Sequence, residues 1–256
     1  MTERTFVSQT AGPVVFGLEL PMGSVHVQVL DSIKAATVVL RTEDSSGPAA
    51  EAIHQARAGQ DGQAMSVEVP RLPDNTVMQS VHGNRVTQSA TTVHGNVTGI
   101  TIINGRIIAG GSTTPAVSPI VARVFLPAGS CLAVVSQSAS TRVHGEVERM
   151  EFRSVSGDLD VSAARRLNAT TTSGDLLIGR LVEQLTARTV SGDITIDRYA
   201  GTEADLTTTS GDVRVYATAT ASGTLRATTV SGDVKVSGAH DVRVQARSVS
   251  GRVRTH

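Results

Sequence analysis

The sequence predicts an all-β chain: a parallel β-solenoid, or β-helix, with rungs of roughly 19 residues, preceded by a small β-rich N-terminal cap with one short helix. Three observations carry this expectation. The triplet Ser-Gly-Asp recurs in "SVSGDLDVS", "TTSGDLLIG", "TVSGDITID", "TTSGDVRVY" and "TVSGDVKVS". The turn glycines are read at Gly145, Gly157, Gly174, Gly192, Gly211, Gly232 and Gly251, with a short first interval of 12 residues and then intervals of 17 to 21. On both sides of each triplet, apolar residues alternate with polar ones at the period of a half-buried strand.

The first region, residues 1–75, reads as the cap. "GSVHVQVL" and "ATVVLRTE" alternate as strands, and "DSSGPAAEAIHQARAG" offers Ser caps, an early Pro, an Ala-rich body around Ile53 and a terminal Gly59, the signals of a short helix. "AMSVEVPRLP" closes the region with a strand and two prolines. Residues 76–118 form a turn-rich insertion. Its near-copies "SVHGNRVT" and "TTVHGNVT", followed by "ITIINGRIIAGG", predict hairpins or irregular rungs, because His-Gly-Asn and Asn-Gly are turn signals between short β runs.

Residues 119–256 hold the Ser-Gly-Asp solenoid. Counting back in twos from each triplet gives Met150, Phe152, Ser154, Ser156; then Leu167, Ala169, Thr171, Ser173; then Leu185, Ala187, Thr189, Ser191, and so on to Val244, Ala246, Ser248, Ser250. Two apolar residues and two hydroxyls are expected to share the inward face of one strand. Beyond the corner, Leu159 and Val161, Leu176 and Ile178, Ile194 and Ile196, Val213 and Val215, and Val234 and Val236 repeat the pattern. A unit this short encloses no core alone, so the units must stack, with each residue about 4.8 Å above its counterpart.

Stacking explains the glycine and raises a question about the aspartate. A sharp corner favours φ > 0, which Gly adopts without strain. Asp158, Asp175, Asp193, Asp212 and Asp233 then form a column of like charges, repelling by about 1 kcal/mol per neighbouring pair in water. Hydrogen bonds, splayed rotamers, raised pKa values or cations are each able to relieve it. The column is therefore the candidate ion site, with Ca²⁺ as the one cofactor to test, since hard cations take carboxylate oxygens. No other metal site is read. His82, His94 and His144 share a Val-His-Gly context, but spacings of 12 and 50 residues do not match the rung, so they read as exposed turn residues. Cys131 is the sole cysteine, so no intrachain disulfide forms, and "LPAGSCLAVV" places it at a buried strand position.

Composition excludes several functions. Lys plus Arg and Asp plus Glu balance at 23 each, so no global field draws in nucleic acid. Trp is absent, and Phe and Tyr number only 4 and 2, which removes stacking platforms for single strands and sugars. No signal peptide or transmembrane stretch is read, which makes the cytoplasm the expected compartment. No catalytic residues are assigned: the outward row Arg153, Thr170, Arg188, Thr207, Thr228 and Arg247 varies from rung to rung and gathers no paired carboxylates.

The repeated [ST]-[VT]-S-G-D-[LIV]-x-[VI] units, with "FLPAGSCLAVVS" before them and "LELPMGSVHVQV" near the start, resemble a bacterial candidate-adhesin family of β-strand-repeat domains of unknown function. The resemblance covers residues 120–256 and 12–75 and leaves the His-Gly-Asn segment as an insertion. It implies a β-solenoid without established catalytic residues. The expected function is a non-enzymatic scaffold or adhesin-like interaction module with a protein partner, self-associating through an uncapped C-terminal rung that exposes backbone groups. A calcium-dependent binder through the aspartate column and a carbohydrate-active β-helix enzyme are the competing expectations.

Overall fold

The computed structural model describes residues 1–73, 77–82, 85–90, 100–103, 106–109, 116–238 and 240–255. The chain winds into a β-solenoid of about seven turns with rungs of ~19 residues. Each rung runs along one face, turns at the Ser-Gly corner and returns along a second face. On the pre-corner face Leu167, Leu185, Ala204, Leu225 and Val244 stand in parallel register. On the post-corner face the register is Thr141, Leu159, Leu176, Ile194, Val213, Val234 and Val253. These are the columns that the alternation predicts, and they meet in one continuous apolar core from Val14 to Val242.

The N-terminal region enters the stack as well as covering its end. Val15–Glu19 lies between Ala64–Glu68 and Cys131–Val135, parallel to both. Met22–Leu30 lies between Val121–Pro127 and the first half of Ser138–Arg153. Residues 15–30 are thus a full rung, with Gly23 at its corner. A Cβ on Gly23 would sit 2.0 Å from the carbonyl oxygen of Ile120, and its φ is +129°, so the tight "PMGS" does here what Ser-Gly does elsewhere.

Antiparallel strands close the N-terminal end. Thr37–Thr42 pairs antiparallel with both Val121–Pro127 and Thr2–Val7, and Arg57–Asp61 pairs antiparallel with Ala64–Glu68. The helix Pro48–Gln55 buries Ala49, Ala50, Ala52 and Ile53. Its start differs from expectation: Gly47, not a serine, is the N-cap, with no side-chain cap, although Pro48 takes the first helical position. It also ends early, at Ala56, because the next residues are drawn into the Arg57–Asp61 strand, where Gly59 lies. The guanidinium of Arg4 donates to the carbonyls of His54 (2.5 Å) and Ala56 (2.6 Å), satisfying the helix C-terminus from a strand 50 residues away.

The insertion contains hairpins. Val77–His82 pairs antiparallel with Arg85–Ala90, and Ile100–Ile103 with Arg106–Ala109. Ala116–Val117 returns parallel to Val77–Met78. His94 lies outside the described residues.

Three expectations need correction. Gly145 is not a corner glycine of the Ser-Gly column; it lies at a register shift between Val143 and Glu146, on the opposite edge of the rung, which accounts for the short interval before Gly157. The second hydroxyl of each inward pair is not inward: Ser156, Ser173, Ser191, Ser210, Ser231 and Ser250 are exposed, since the chain has begun to turn, while Thr171, Thr189, Thr208 and Thr229 remain buried. Cys131 is in a strand but only half-buried, because it lies in outward register with Val15 and Arg149.

Candidate functional site: the corner ladder and the final rung

The corner is built by the backbone of one rung pressing on that of the next. A Cβ on Gly174 would lie 2.4 Å from the carbonyl oxygen of Gly157, and on Gly192, Gly211, Gly232 and Gly251 it would lie 2.0–2.1 Å from that of the glycine below. Gly157 meets Ala139 in the same way at 2.3 Å. Close approach is therefore the requirement common to all six corners. Positive φ is not: Gly192, Gly211, Gly232 and Gly251 have φ of 147–157°, whereas Gly157 and Gly174 lie outside the left-handed region.

The aspartates form a directional ladder. Oδ1 of Asp158 accepts the backbone N–H of Asp175 (3.0 Å), Asp175 that of Asp193 (2.9 Å), and Asp193 that of Asp212 (2.8 Å). Asp212 accepts from Asp233, and Asp233 from Arg252, both at 2.8 Å. Each carboxylate thus holds the amide of the rung above with a charge-assisted bond, which offsets repulsion within the column. Arg214 adds cation, donating to Oδ2 of Asp193 (3.1 Å) and of Asp212 (2.5 Å). Hydrogen bonding of this kind recurs at every step of the column. Among the described residues no group of three or more His, Cys, Asp or Glu is arranged to hold a metal ion.

Beneath the corner the inward hydroxyls behave in three ways, the first being that of Ser154, which accepts from the hydroxyl of Ser136 (2.9 Å). Thr208, Thr229 and Ser248 donate to the carbonyls of Gly192 (3.2 Å), Gly211 (3.1 Å) and Gly232 (2.8 Å) in the rung before. Thr171 and Thr189 are buried without a partner.

Other polar groups act as ties between rungs. Glu183 accepts from Arg165 (2.5 Å) and Arg166 (2.7 Å), and these bonds hold its carboxyl below the usual carboxylate range. His26 stands in register between Arg123 and Arg142; burial, followed by the field of Arg142, lowers its pKa. His144, the one Val-His-Gly histidine with a described side chain, is exposed and stands in register with Gln28. Tyr199 is fully buried, its hydroxyl has no partner, and burial pushes its pKa up to about 12.

The last rung departs from the pattern. Arg252 occupies the position of the corner aspartate, and Val242–Ser250 and Val253–Thr255 are each paired along one edge only among the described residues. Val244 and Ala246 end the apolar columns half-buried, and Val253 is 43% exposed. The arginine in place of aspartate is the feature that sequence periodicity passes over, because the motif is defined by the copies that conform.

The family model described as Toastrack DUF4097 matches residues 32–256. The chain belongs to the Toastrack DUF4097 family. The match takes in the helix, the insertion and every Ser-Gly corner of this Toastrack chain. Among solved structures, it is similar to a candidate adhesin from Bacteroides fragilis, at 13% identity and TM-score 0.47, over 100% of this chain and 97% of that one. A candidate lipid-binding protein from Parabacteroides distasonis is 10% identical with TM-score 0.43, over 99% and 96% of the two chains. A candidate adhesin from Parabacteroides merdae is 11% identical with TM-score 0.43, over 100% and 96%. No curated protein matches. No helix among the described residues of the Toastrack chain is long and apolar enough to cross a membrane.

Proposed function

We propose that this Toastrack chain is a non-catalytic, adhesin-like scaffold that binds other chains through the open edge of its final rung, and that a second copy is able to dock there. The edge of Val242–Ser250 that has no partner strand among the described residues is the observation that carries this reading. In the rungs below, the inward hydroxyl's N–H points upward, as Thr189 donates to the carbonyl of Thr207. Ser248 occupies the same place in the last rung, so its N–H and that of Ala246, two residues earlier, face the free edge. A two-fold related copy would pair there antiparallel and cover Val244, Ala246 and Val253.

The surface elsewhere supports a scaffold over an enzyme. A cavity of about 260 Å³ lined by Glu19, Pro21, Arg71, Val135, Ser136, Gln137 and Val155 contains one carboxylate, and a glycoside-cleaving site requires two. The aspartate Oδ1 atoms are already engaged by amides, which favours the structural role of the column over calcium binding.

Light scattering across a hundredfold range of concentration tests the reading. The expected result is a mass that rises with concentration, more steeply at high salt, where repulsion between the arginines of the two final rungs is screened. Ala246→Pro, which removes a free-edge donor, is expected to keep the β-rich circular dichroism spectrum and abolish the rise. A mass independent of concentration overturns self-association.

A further inference from the structure

We infer that the preferred occupant of the final edge is an acidic extended segment of a partner protein, added as a strand and read by arginines; this rests on the reading of that edge as a binding edge. The charge on the last rung is concentrated. Arg243, Arg247, Arg252 and Arg254 are all exposed, Asp241 is its one carboxylate, and none of the four arginines makes an ion pair among the described residues. Further down the stack, among the described residues, Arg142, Arg153, Arg165, Arg166, Arg188 and Arg214 are each paired with a carboxylate and Arg123, Arg149, Arg180, Arg198 and Arg226 are not, so what sets the last rung apart is its excess of cations over carboxylates.

Arg252 makes the specificity directional. Every corner aspartate below it accepts the amide of the next rung, but a guanidinium has only donors, so another Ser-Gly-Asp rung cannot extend the ladder beyond it. What fits above Arg252 is an acceptor, and a carboxylate is the strongest one a side chain supplies. Around it a pocket of about 160 Å³ is lined by Asp212, Arg214, Asp233, Lys235, Arg252 and Arg254. Arg214 is committed to Asp193 and Asp212, which leaves Arg252, Arg254 and Lys235 against the single carboxylate of Asp233, whose Oδ1 already accepts the Arg252 amide, to face an incoming anion.

The register specifies a pattern. Along Val242–Ser250 the outward residues are Arg243, Gln245 and Arg247, and the inward ones are Val244 and Ala246. A strand laid on that edge places its residues above these at ~4.8 Å. The matching sequence is acidic, apolar, polar, apolar, acidic, with carboxylates four residues apart over Arg243 and Arg247. A second copy presents arginines at these places instead, so it is the weaker ligand.

A fluorescein-labelled peptide with the core Glu-Val-Gln-Val-Glu, flanked by Gly-Ser, tests this by anisotropy against the whole chain. The expected result is binding at least tenfold tighter than for the Lys-Val-Gln-Val-Lys peptide. Affinity should fall more than tenfold in the Arg243→Glu/Arg247→Glu protein, and that protein should prefer the lysine peptide. Ala246→Pro should weaken every peptide. If the Gln-Val-Gln-Val-Gln peptide binds as tightly as the acidic one, the edge stands as a binding edge and the acidic preference is overturned. If no peptide binds and the light-scattering mass is constant, the edge reading fails as well. Heparin or duplex DNA competing through the arginines, with Ala246→Pro without effect on them, would overturn strand addition in favour of a simple polyanion patch.

Discussion

The lower and upper corners of the stack share a sequence and differ in their interior. At Gly157 and Gly174 the backbone stays out of the left-handed region, and Thr171 and Thr189 lie buried with no partner. At Gly192, Gly211 and Gly232, where φ is 147–156°, the glycine carbonyl receives a hydroxyl from the rung above. One triplet therefore supports two states of the same corner. The difference teaches that the Gly-Asp step is fixed by contacts between rungs, while in the threonine column the hydroxyl bonds a glycine carbonyl only where that glycine has positive φ.

The largest expected effect comes from filling a corner. Gly211→Ala places a methyl carbon 2.1 Å from the Gly192 oxygen and strains a φ of +152°, so urea unfolding should show a loss of about 3 kcal/mol or more. Gly157→Ala meets a comparable obstruction at 2.3 Å without the dihedral strain, and its loss should be about 1 kcal/mol smaller. Equal losses would show that φ contributes nothing to the distinction.

Next in size is the aspartate ladder. Asp175→Ala removes the acceptor of the Asp193 amide and should cost about 1–2 kcal/mol. Asp175→Asn retains an acceptor oxygen and relieves repulsion from both neighbours, so its stability should lie within about 0.5 kcal/mol of the parent. A large loss in the asparagine variant would mean that the charge itself is required, and a calcium titration of the parent tests the same point. One millimolar Ca²⁺ is expected to leave the melting temperature unchanged.

The hydroxyls give a smaller effect with opposite signs. Thr229→Val breaks the bond to the Gly211 carbonyl and should destabilise by about 1 kcal/mol. Thr189→Val removes an unsatisfied buried hydroxyl and should be neutral or stabilising. The same sign at both positions would dissolve the comparison between lower and upper corners.

The smallest effect is one of pH in the lower rungs. The folded pKa of His26 lies below its unfolded value of about 6.5, so the unfolded chain binds the proton first and stability declines as pH falls through that range. His26→Gln should flatten this decline in melting temperature between pH 7 and 5.

Much of this was legible in the residues. The columns through Leu167 and Leu159 follow from alternation alone, because parallel stacking in register requires like above like. The rung at residues 15–30 was not legible as a rung: its neighbours are Val121–Pro127 and Ser138–Arg153, about a hundred positions away, and its corner is written Pro-Met-Gly. The column of aspartates could be read from spacing, and so could its repulsion. Which relief applies depends on where an amide points, a property of the backbone of the next copy. The exposed serines were misplaced because a period of two holds only while the strand is straight. Arg252 stood in plain view, and its meaning appears only once the aspartates are known to accept from above.

That acceptance from above gives the stack two unlike ends. A rung added on one side offers its amide to a carboxylate already in place, and a rung added on the other offers its carboxylate to a waiting amide, so each turn is templated by its neighbour whichever is set first. At Arg252 the alternation of acceptor and donor changes hands, and the face beyond it reverses its charge.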